Sequence, residues 1–147
     1  MLLYVNQLRD VFDPGDLPEL VLDHAARRRV RAKLTLRDGT EVAWALPRGT
    51  VLHAGDQLET AQGEKAVVRA AEELLCVAFT TDPRQLARIA YHLGNRHAPV
   101  QLATGFVCFP HDPVLQSLCE RLGATVATQW RPFEPELVGH DHADSHH

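Results

Sequence analysis

The histidines are the residues of this chain that could do chemistry, and they concentrate in two segments. Four of the nine histidines lie in the last eight residues, inside GHDHADSHH (residues 139–147). Two more, His92 and His97, lie in YHLGNRHAPVQ (residues 91–101). Imidazole nitrogen suits nickel, copper and zinc better than calcium or magnesium. Short tracts rich in histidine are typical of metal binding, so the terminal segment predicts a transition-metal site.

The terminal segment supplies four imidazoles and two carboxylates: His140, His142, His146, His147, Asp141 and Asp144. It has too few apolar residues to fold alone, so we expect a disordered tail that loses conformational freedom when it closes around an ion. Such a tail suits capture and release of metal better than permanent binding. The alternatives are a purification tag or a solvated tail without a role. A typical tag is an uninterrupted histidine run, whereas two aspartates interrupt this one.

The other histidines have ambiguous patterns. His92 falls in the last turn of a predicted helix, where a histidine can interact favourably with the helix C-terminus. His97 follows the predicted helix end, in a loop before Pro99, where capping does not explain it. An exposed loop histidine is still the ordinary interpretation of a lone residue. His111, beside Asp112 at the start of a second predicted helix, has the same two interpretations.

Composition restricts the class of protein. The 147 residues are 45% hydrophobic and 23% charged, which is ordinary for a globular chain with a core. No window approaches the ~18 continuous apolar residues of a membrane span, and the N-terminus lacks the pattern of a signal peptide. Three cysteines without a CxxC pair argue against a disulfide framework and favour a cytoplasmic location. The net charge of -4 argues against a general nucleic-acid binder.

The first half of the chain, residues 1–72, has the pattern of a β-rich domain, a small barrel or sandwich. Two strands are predicted on either side of an Asp38-Gly39 turn, which is a strong hairpin signal. Residues 20–31 are ambiguous between a helix and a strand with a loop, and we favour the strand and loop. The predicted strands cover residues 30–36, 41–46, 50–53, 57–60 and 65–70.

The second half, residues 73–137, predicts the order βαββαβ of a ferredoxin-like domain. Asp82-Pro83 and Asp112-Pro113 are helix starts, and Gln85 completes a capping box. Gly94 is the expected left-handed stop of the first helix, and Gly123 ends the second. The second helix carries an apolar stripe: Val114, Leu115, Leu118, Cys119 and Leu122. Predicted strands cover residues 73–79, 100–103, 106–109 and 125–130. Residues 138–147 are predicted to be a flexible tail. The fold class is therefore α+β, with two domains and a tail.

Catalytic patterns are missing from the sequence. It has no G-x-S-x-G, P-loop, dinucleotide-binding glycine pattern or H-E-x-x-H. Cys76, Cys108 and Cys119 fall in apolar runs, which predicts buried thiols rather than nucleophiles. The order βαββαβ also occurs in RNA-binding domains, but the aromatic and basic RNP1 pattern is absent here. We expect neither an enzyme nor a nucleic-acid-binding or membrane protein.

Several segments carry a resemblance to a known family. YHLGNRHAPVQL (residues 91–102), PHDPVLQSLCERLGA (residues 110–124) and FEPE (residues 133–136) resemble the UreE urease accessory proteins. LPRGTVLHAGD (residues 46–56) and the histidine-rich C-terminus are also similar to that family. The resemblance spans nearly the whole chain.

The resemblance implies a homodimeric nickel metallochaperone for maturation of the urease active site. It implies that His97 is a nickel(II) ligand near the two-fold axis, with the tail histidines as further ligands. We interpret His92, in the helix beside it, as support for this site. Some family members carry a histidine where this chain has Pro113, which puts a secondary site at His111 in doubt. The implied partners are the urease apoprotein and other accessory proteins, including a nickel-delivery GTPase. Zinc(II) or copper(II) are competitors for the site, and the N-terminal domain would bind a peptide or partner.

A different function remains open on the same residues. A metal buffer or a metal sensor would bind nickel without delivering it to another protein. Delivery requires metal-dependent transfer to a protein partner, whereas a buffer needs only capacity.

Overall fold

The computed structural model describes residues 1–9 and 15–136 and shows a strand-rich α+β chain with two sheets. The chain divides into two compact units, one holding Met1–Ala71 and the other beginning at Glu72. Within the part of the chain that the structure describes, no helix combines the length and the hydrophobicity needed to cross a membrane.

The first unit is a six-stranded sheet with one short helix. Its elements are β1 (Leu2–Leu8), β2 (Glu19–Leu22), α1 (His24–Arg27), β3 (Arg31–Thr35), β4 (Glu41–Ala45), β5 (Gln57–Thr60) and β6 (Lys65–Ala70). The strand order is β2-β6-β5-β1-β4-β3, with β1–β4 and β2–β6 parallel and the other neighbours antiparallel. Tyr4, Leu20, Val42, Trp44 and Leu58 belong to its buried core.

Several predictions for this unit are confirmed and others are wrong. The hairpin of β3 and β4 turns at Gly39, whose φ of 88° suits glycine. The strand expected at residues 50–53 does not form, because the Leu52 N–H donates to the Arg27 carbonyl and not to a neighbouring strand. The strand and loop favoured for residues 20–31 contain one unpredicted helical turn, α1, which the Asp23 carboxylate caps. The central strand β1 was not predicted.

The second unit has the element order β7 (Glu72–Phe79), α2 (Pro83–Asn95), β8 (Gln101–Ala103), β9 (Phe106–Pro110), α3 (Pro113–Arg121), β10 (Thr125–Pro132). The strand order is β10-β7-β9-β8, and all neighbours are antiparallel. One face of the sheet buries Cys76 and Phe109 against Ile89 and Leu93 of α2. The order βαββαβ follows the pattern expected from the sequence.

The helix starts follow the sequence closely. Asp82 and Asp112 cap α2 and α3 with their carboxylates, and each is followed by proline in the first turn. The predicted capping box is wrong, because the Asp82 N–H donates to the Thr80 hydroxyl and not to Gln85. The Gln85 amide oxygen accepts from that same hydroxyl. Val114 is 71% exposed, so its place in the apolar stripe of α3 is also wrong.

A buried carboxylate ties the loop before β5 to strand β1. Asp56 is buried, and its Oδ2 accepts from Gln7 Nε2 at 2.7 Å and from the His53 N–H at 2.9 Å. Gln7 Nε2 also donates to the Val51 carbonyl at 3.2 Å. The Asp56 side chain therefore holds residues 50–53, where the expected strand does not form, against strand β1.

We predict that Asp56→Ala lowers the free energy of unfolding by about 1–3 kcal/mol, because two N–H donors and the Arg9 guanidinium, 3.7 Å away, lose a buried charged partner. Urea denaturation followed by circular dichroism measures this change. The matched control is Asp16→Ala, an exposed acid of the same unit, which should cost less than about 0.5 kcal/mol. An equal loss in both variants would contradict the role given to Asp56.

Candidate metal centre

The end of helix α2 places His97 in a backbone conformation that is unusual for its residue type. His97 has φ of 58°, and it is the one positive-φ residue other than glycine within residues 1–9 and 15–136. Its N–H donates to the Gly94 carbonyl at 3.0 Å, and the next N–H, of Ala98, donates to the Leu93 carbonyl at 3.2 Å. These two bonds define a Schellman motif with His97 at the left-handed position.

Helix α3 ends with the same motif and provides an internal comparison. The Gly123 N–H donates to the Glu120 carbonyl and the Ala124 N–H to the Cys119 carbonyl, both at 3.0 Å. The left-handed residue there is Gly123, with φ of 99°. Both motifs continue with alanine, so the two helix ends differ in having histidine in one place and glycine in the other.

This geometry corrects two predictions. Gly94 is not the left-handed stop, because α2 continues through Asn95 and Arg96 is its C-cap. His97 does follow the helix, one residue after the C-cap, but capping does explain its backbone, because that backbone forms the left-handed turn of the motif. A non-glycine residue in this region costs roughly 1–2 kcal/mol. Strained residues of this kind cluster at functional sites, so the side chain of His97 is the feature that needs an explanation.

His92 lies one turn before this cap. It is the basic residue in the last turn of α2 and is partly buried. Its ring meets the Tyr91 ring edge-on, with centroids 5.4 Å apart. His92 therefore has a packing role in addition to its position near the helix C-terminus.

His111 is exposed just before α3, and its N–H donates to the Leu74 carbonyl at 3.1 Å. Because α2 runs antiparallel to β7 in the β7-α2-β8 crossover, the end of α2 and the start of α3 lie at the same end of the sheet. The topology thus brings His97 and His111 to one end of the second unit.

Large apolar side chains are exposed at that same end, and the sequence patterns did not identify them as functional. They are Tyr91, Val114 and Trp130, which are 66%, 71% and 67% exposed. Trp130 pairs with Leu74 near the start of β7, and Val114 lies in the first turn of α3. Trp130 could have been identified from the sequence. It is a large apolar side chain that continues the alternating pattern of strand β10 beyond the apolar residues of that strand.

The described residues do not contain a complete metal site within one chain. No group of three or more His, Cys, Asp or Glu side chains able to hold an ion occurs in residues 1–9 and 15–136. The predicted ligands His140, His142, His146 and His147 lie outside the described residues. A site at His97 would need ligands from the tail or from another chain.

The cysteines do not provide such ligands. All three are buried and free, as predicted. Burial raises the pKa of the Cys119 thiol to about 11, and burial also raises the pKa of Cys76 and of Cys108. Metals bind the thiolate, so these groups are poor candidates at neutral pH.

Comparison with known proteins decides the family. A profile of the UreE urease accessory protein N-terminal domain matches residues 5–71, and a profile of the C-terminal domain matches residues 72–147. The chain belongs to the UreE urease accessory protein family. The two profiles meet at the boundary between the two compact units.

Individual UreE proteins are similar over most of this chain. Urease accessory protein UreE of Ralstonia nicotianae is 48% identical over 130 residues, which cover 85% of this chain and 61% of that protein. The UreE proteins of Pseudomonas putida and Proteus mirabilis are each 42% identical, over 95% and 80% of this chain and 87% and 73% of their own lengths. The chain thus spans less than two thirds of the Ralstonia protein. These relatives are named as accessory proteins, not as enzymes.

The left-handed cap makes a prediction about stability without metal. His97→Gly should have a free energy of unfolding about 1 kcal/mol higher than that of His97→Ala, because glycine adopts positive φ without the steric cost of a Cβ. Urea denaturation of the metal-free variants measures the difference. Gly123→Ala is the reference for α3, where a Cβ would also meet the Gln85 side chain at 2.7 Å. Equal stability of the two His97 variants would contradict the left-handed cap.

Proposed function

We propose that this protein is a nickel-binding metallochaperone that carries Ni(II) and delivers it for maturation of the urease active site. Family membership supports an accessory role in urease assembly. The observation that carries the metal assignment is the histidine at the left-handed cap of α2. Because glycine would suit that backbone better, and does so in α3, the imidazole must contribute something other than helix termination.

The proposed site lies between two copies of the chain. A histidine near a two-fold axis meets its own copy, so His97 would supply two ligands to one ion. The exposed Tyr91, Val114 and Trp130 support an interface at the same end of the second unit, because such side chains gain when a partner covers them. We assign this unit to the ferredoxin-like fold, which the order β10-β7-β9-β8 supports.

Two imidazoles leave the coordination shell of nickel open, and the tail would complete it. The proposed further ligands are His140, His142, His146 and His147, with His92 and His111 as support or a secondary site. Ligands on a flexible segment can leave one at a time, which allows transfer without one large barrier. Zinc(II) and copper(II) compete for imidazole ligands in general.

The proposed partners are the urease apoprotein and the other accessory proteins, including a nickel-delivery GTPase. We place the protein in the cytoplasm, because three buried free cysteines fit a reducing compartment. We further propose that Met1–Ala71, the unit beginning at Glu72 and the tail act as separate domains in nickel delivery.

The alternative is a buffer or sensor that binds metal without delivery. The two functions are separated by mixing the nickel-loaded protein with urease apoprotein and an excess of a weak chelator. Delivery predicts that nickel reaches urease when the accessory proteins are present, while a buffer would lose nickel to the chelator at the same rate with or without them.

We predict that His97→Gly removes the tightest nickel site, about one per dimer by symmetry, while weaker tail sites persist. This variant keeps the helix cap, so a loss is assigned to the imidazole and not to misfolding. Isothermal titration with light scattering measures site and dimer together. Deletion of residues 139–147 should lower the capacity and leave the tight site and the dimer in place, and His92→Ala should have the smaller effect. An unchanged tight site in folded His97→Gly would refute the assignment.

Nickel binding should also weaken in acid. Protons compete with the metal for imidazole nitrogen, and the ordinary histidine pKa is ~6.5, so affinity is retained above that pH and lost below it. Titrations at a series of pH values in noncoordinating buffers test this. An affinity that stays flat to about one unit below that pKa would exclude histidine ligands.

A further inference from the structure

The strongest concentration of positive charge in the sequence lies on and beside an edge strand of the first unit. Six arginine and lysine residues occur between positions 27 and 37 without one acid: Arg27, Arg28, Arg29, Arg31, Lys33 and Arg37. The remainder of the chain has nine such cations against 19 acids. The strand that carries Arg31 and Lys33 is β3, which stands at the end of the order β2-β6-β5-β1-β4-β3.

The backbone of β3 is open on one side. The Leu46 N–H donates to the Val30 carbonyl and the Leu36 N–H to the Thr40 carbonyl, both at 2.8 Å. Antiparallel ladders alternate between bonded and non-bonded pairs, so Ala32 and Leu34 also bond to β4. The N–H and C=O groups of Arg31, Lys33 and Thr35 therefore point away from the sheet.

The side chains of these three residues share the face away from the core. Ala32 and Leu34 pack against the core, while Arg31, Lys33 and Thr35 alternate with them and are exposed. Neither Arg31 nor Lys33 has an ion pair with any residue in the described ranges. Within the β3–β4 hairpin the acids lie at the turn end, with Glu41 opposite Thr35 and Asp38 in the turn.

A shallow apolar groove runs beside the two cations. Lys33 pairs with Ala43, which in turn pairs with Leu3 of β1, and Arg31 pairs with Ala45. Leu3 is 49% exposed. The groove of about 350 Å³ is lined by Leu3, Arg31, Lys33, Ala43, Trp44 and Ala45 among others. Small residues on β4 leave space above the sheet, and the cations border it.

We propose that β3 binds an extended acidic segment of a protein partner, which adds to the sheet as a seventh strand. The open backbone groups would form the ladder, and acidic side chains on the outer face would pair with Arg31 and Lys33. Apolar residues at the alternate positions would continue the row of Ala32 and Leu34. A second copy of this chain is a poor occupant, because paired β3 edges would place like charges together.

This inference concerns no metal, and it names the surface and the charge preference that the peptide binding expected of the N-terminal domain leaves open. It is tested on metal-free protein with chelator present. The probe is a fluorescein-labelled peptide of alternating Glu and Val, compared with the alternating Lys and Val peptide. Fluorescence anisotropy should show binding of the acidic peptide that weakens from about 50 mM to about 300 mM salt, since exposed charges are screened at these ionic strengths.

The charge requirement is tested with Arg31→Glu/Lys33→Glu, which should weaken binding of the acidic peptide by about tenfold or more. The matched control is Arg84→Glu/Arg88→Glu, which makes the same change of charge at two exposed positions of α2 and should change affinity by less than about twofold. Circular dichroism checks that both proteins are folded. An equal loss in both variants would overturn the assignment to β3.

The backbone requirement is tested with the wild-type protein, so folding cannot confuse the result. Two acidic peptides, one N-methylated at the Glu residues and the other at the Val residues, keep their charge, and each loses the donors of one edge. The peptide methylated on the edge that faces β3 should bind about tenfold more weakly than the other. Equal binding of both methylated peptides, or no binding of the unmethylated acidic peptide, would overturn the added strand. Tighter binding of a single-stranded oligonucleotide of equal charge would show that the surface recognises nucleic acid and would overturn the protein partner.

Discussion

Two backbone hydrogen bonds at the end of α2 hold His97 in the left-handed region, and the candidate metal centre depends on them. They are donated by the His97 and Ala98 N–H groups to the last turn of the helix. Leu93 and Ala98 also pack in one apolar cluster, which is the contact expected of this motif. The cap therefore fixes the backbone of an exposed histidine against a rigid helix. A ligand held in this way loses little freedom when it binds an ion.

The two helices of the second unit show what this arrangement costs. α3 ends in the same motif with Gly123, which relieves the strain, and a Cβ there would collide with Gln85. α2 accepts the strain at His97, where the side chain is exposed. The unit can carry this cost because its sheet and helices bury an apolar cluster that includes Ile89, Leu93, Phe109 and Cys119. Stability comes from the core, which can support a strained residue at the exposed helix end.

The sequence predicted what local residue chemistry determines. Asp82-Pro83, Asp112-Pro113 and Gly123 marked helix ends correctly, because capping depends on a few adjacent residues. The helix end predicted at Gly94 was wrong, because the helix continues for two more residues and a histidine, not a glycine, takes the left-handed position. Strand β1 was not predicted. Its parallel partner, β4, begins more than thirty residues later, and a local sequence pattern does not indicate pairing over that distance. His97 was identified as a candidate ligand, but its left-handed backbone was not, since residue type argues against it. The pairing of Asp56 with Gln7 is likewise a long-range contact.

We propose that the imidazole of His97, held at the left-handed cap, is a nickel ligand contributed by both chains of a dimer. X-ray absorption spectroscopy tests this most directly on protein lacking residues 139–147, loaded with one nickel per two chains. We expect the multiple-scattering pattern of about two imidazoles per nickel, and its loss in the His97→Gly version of the same truncated protein. An imidazole pattern that is unchanged in His97→Gly would contradict the claim.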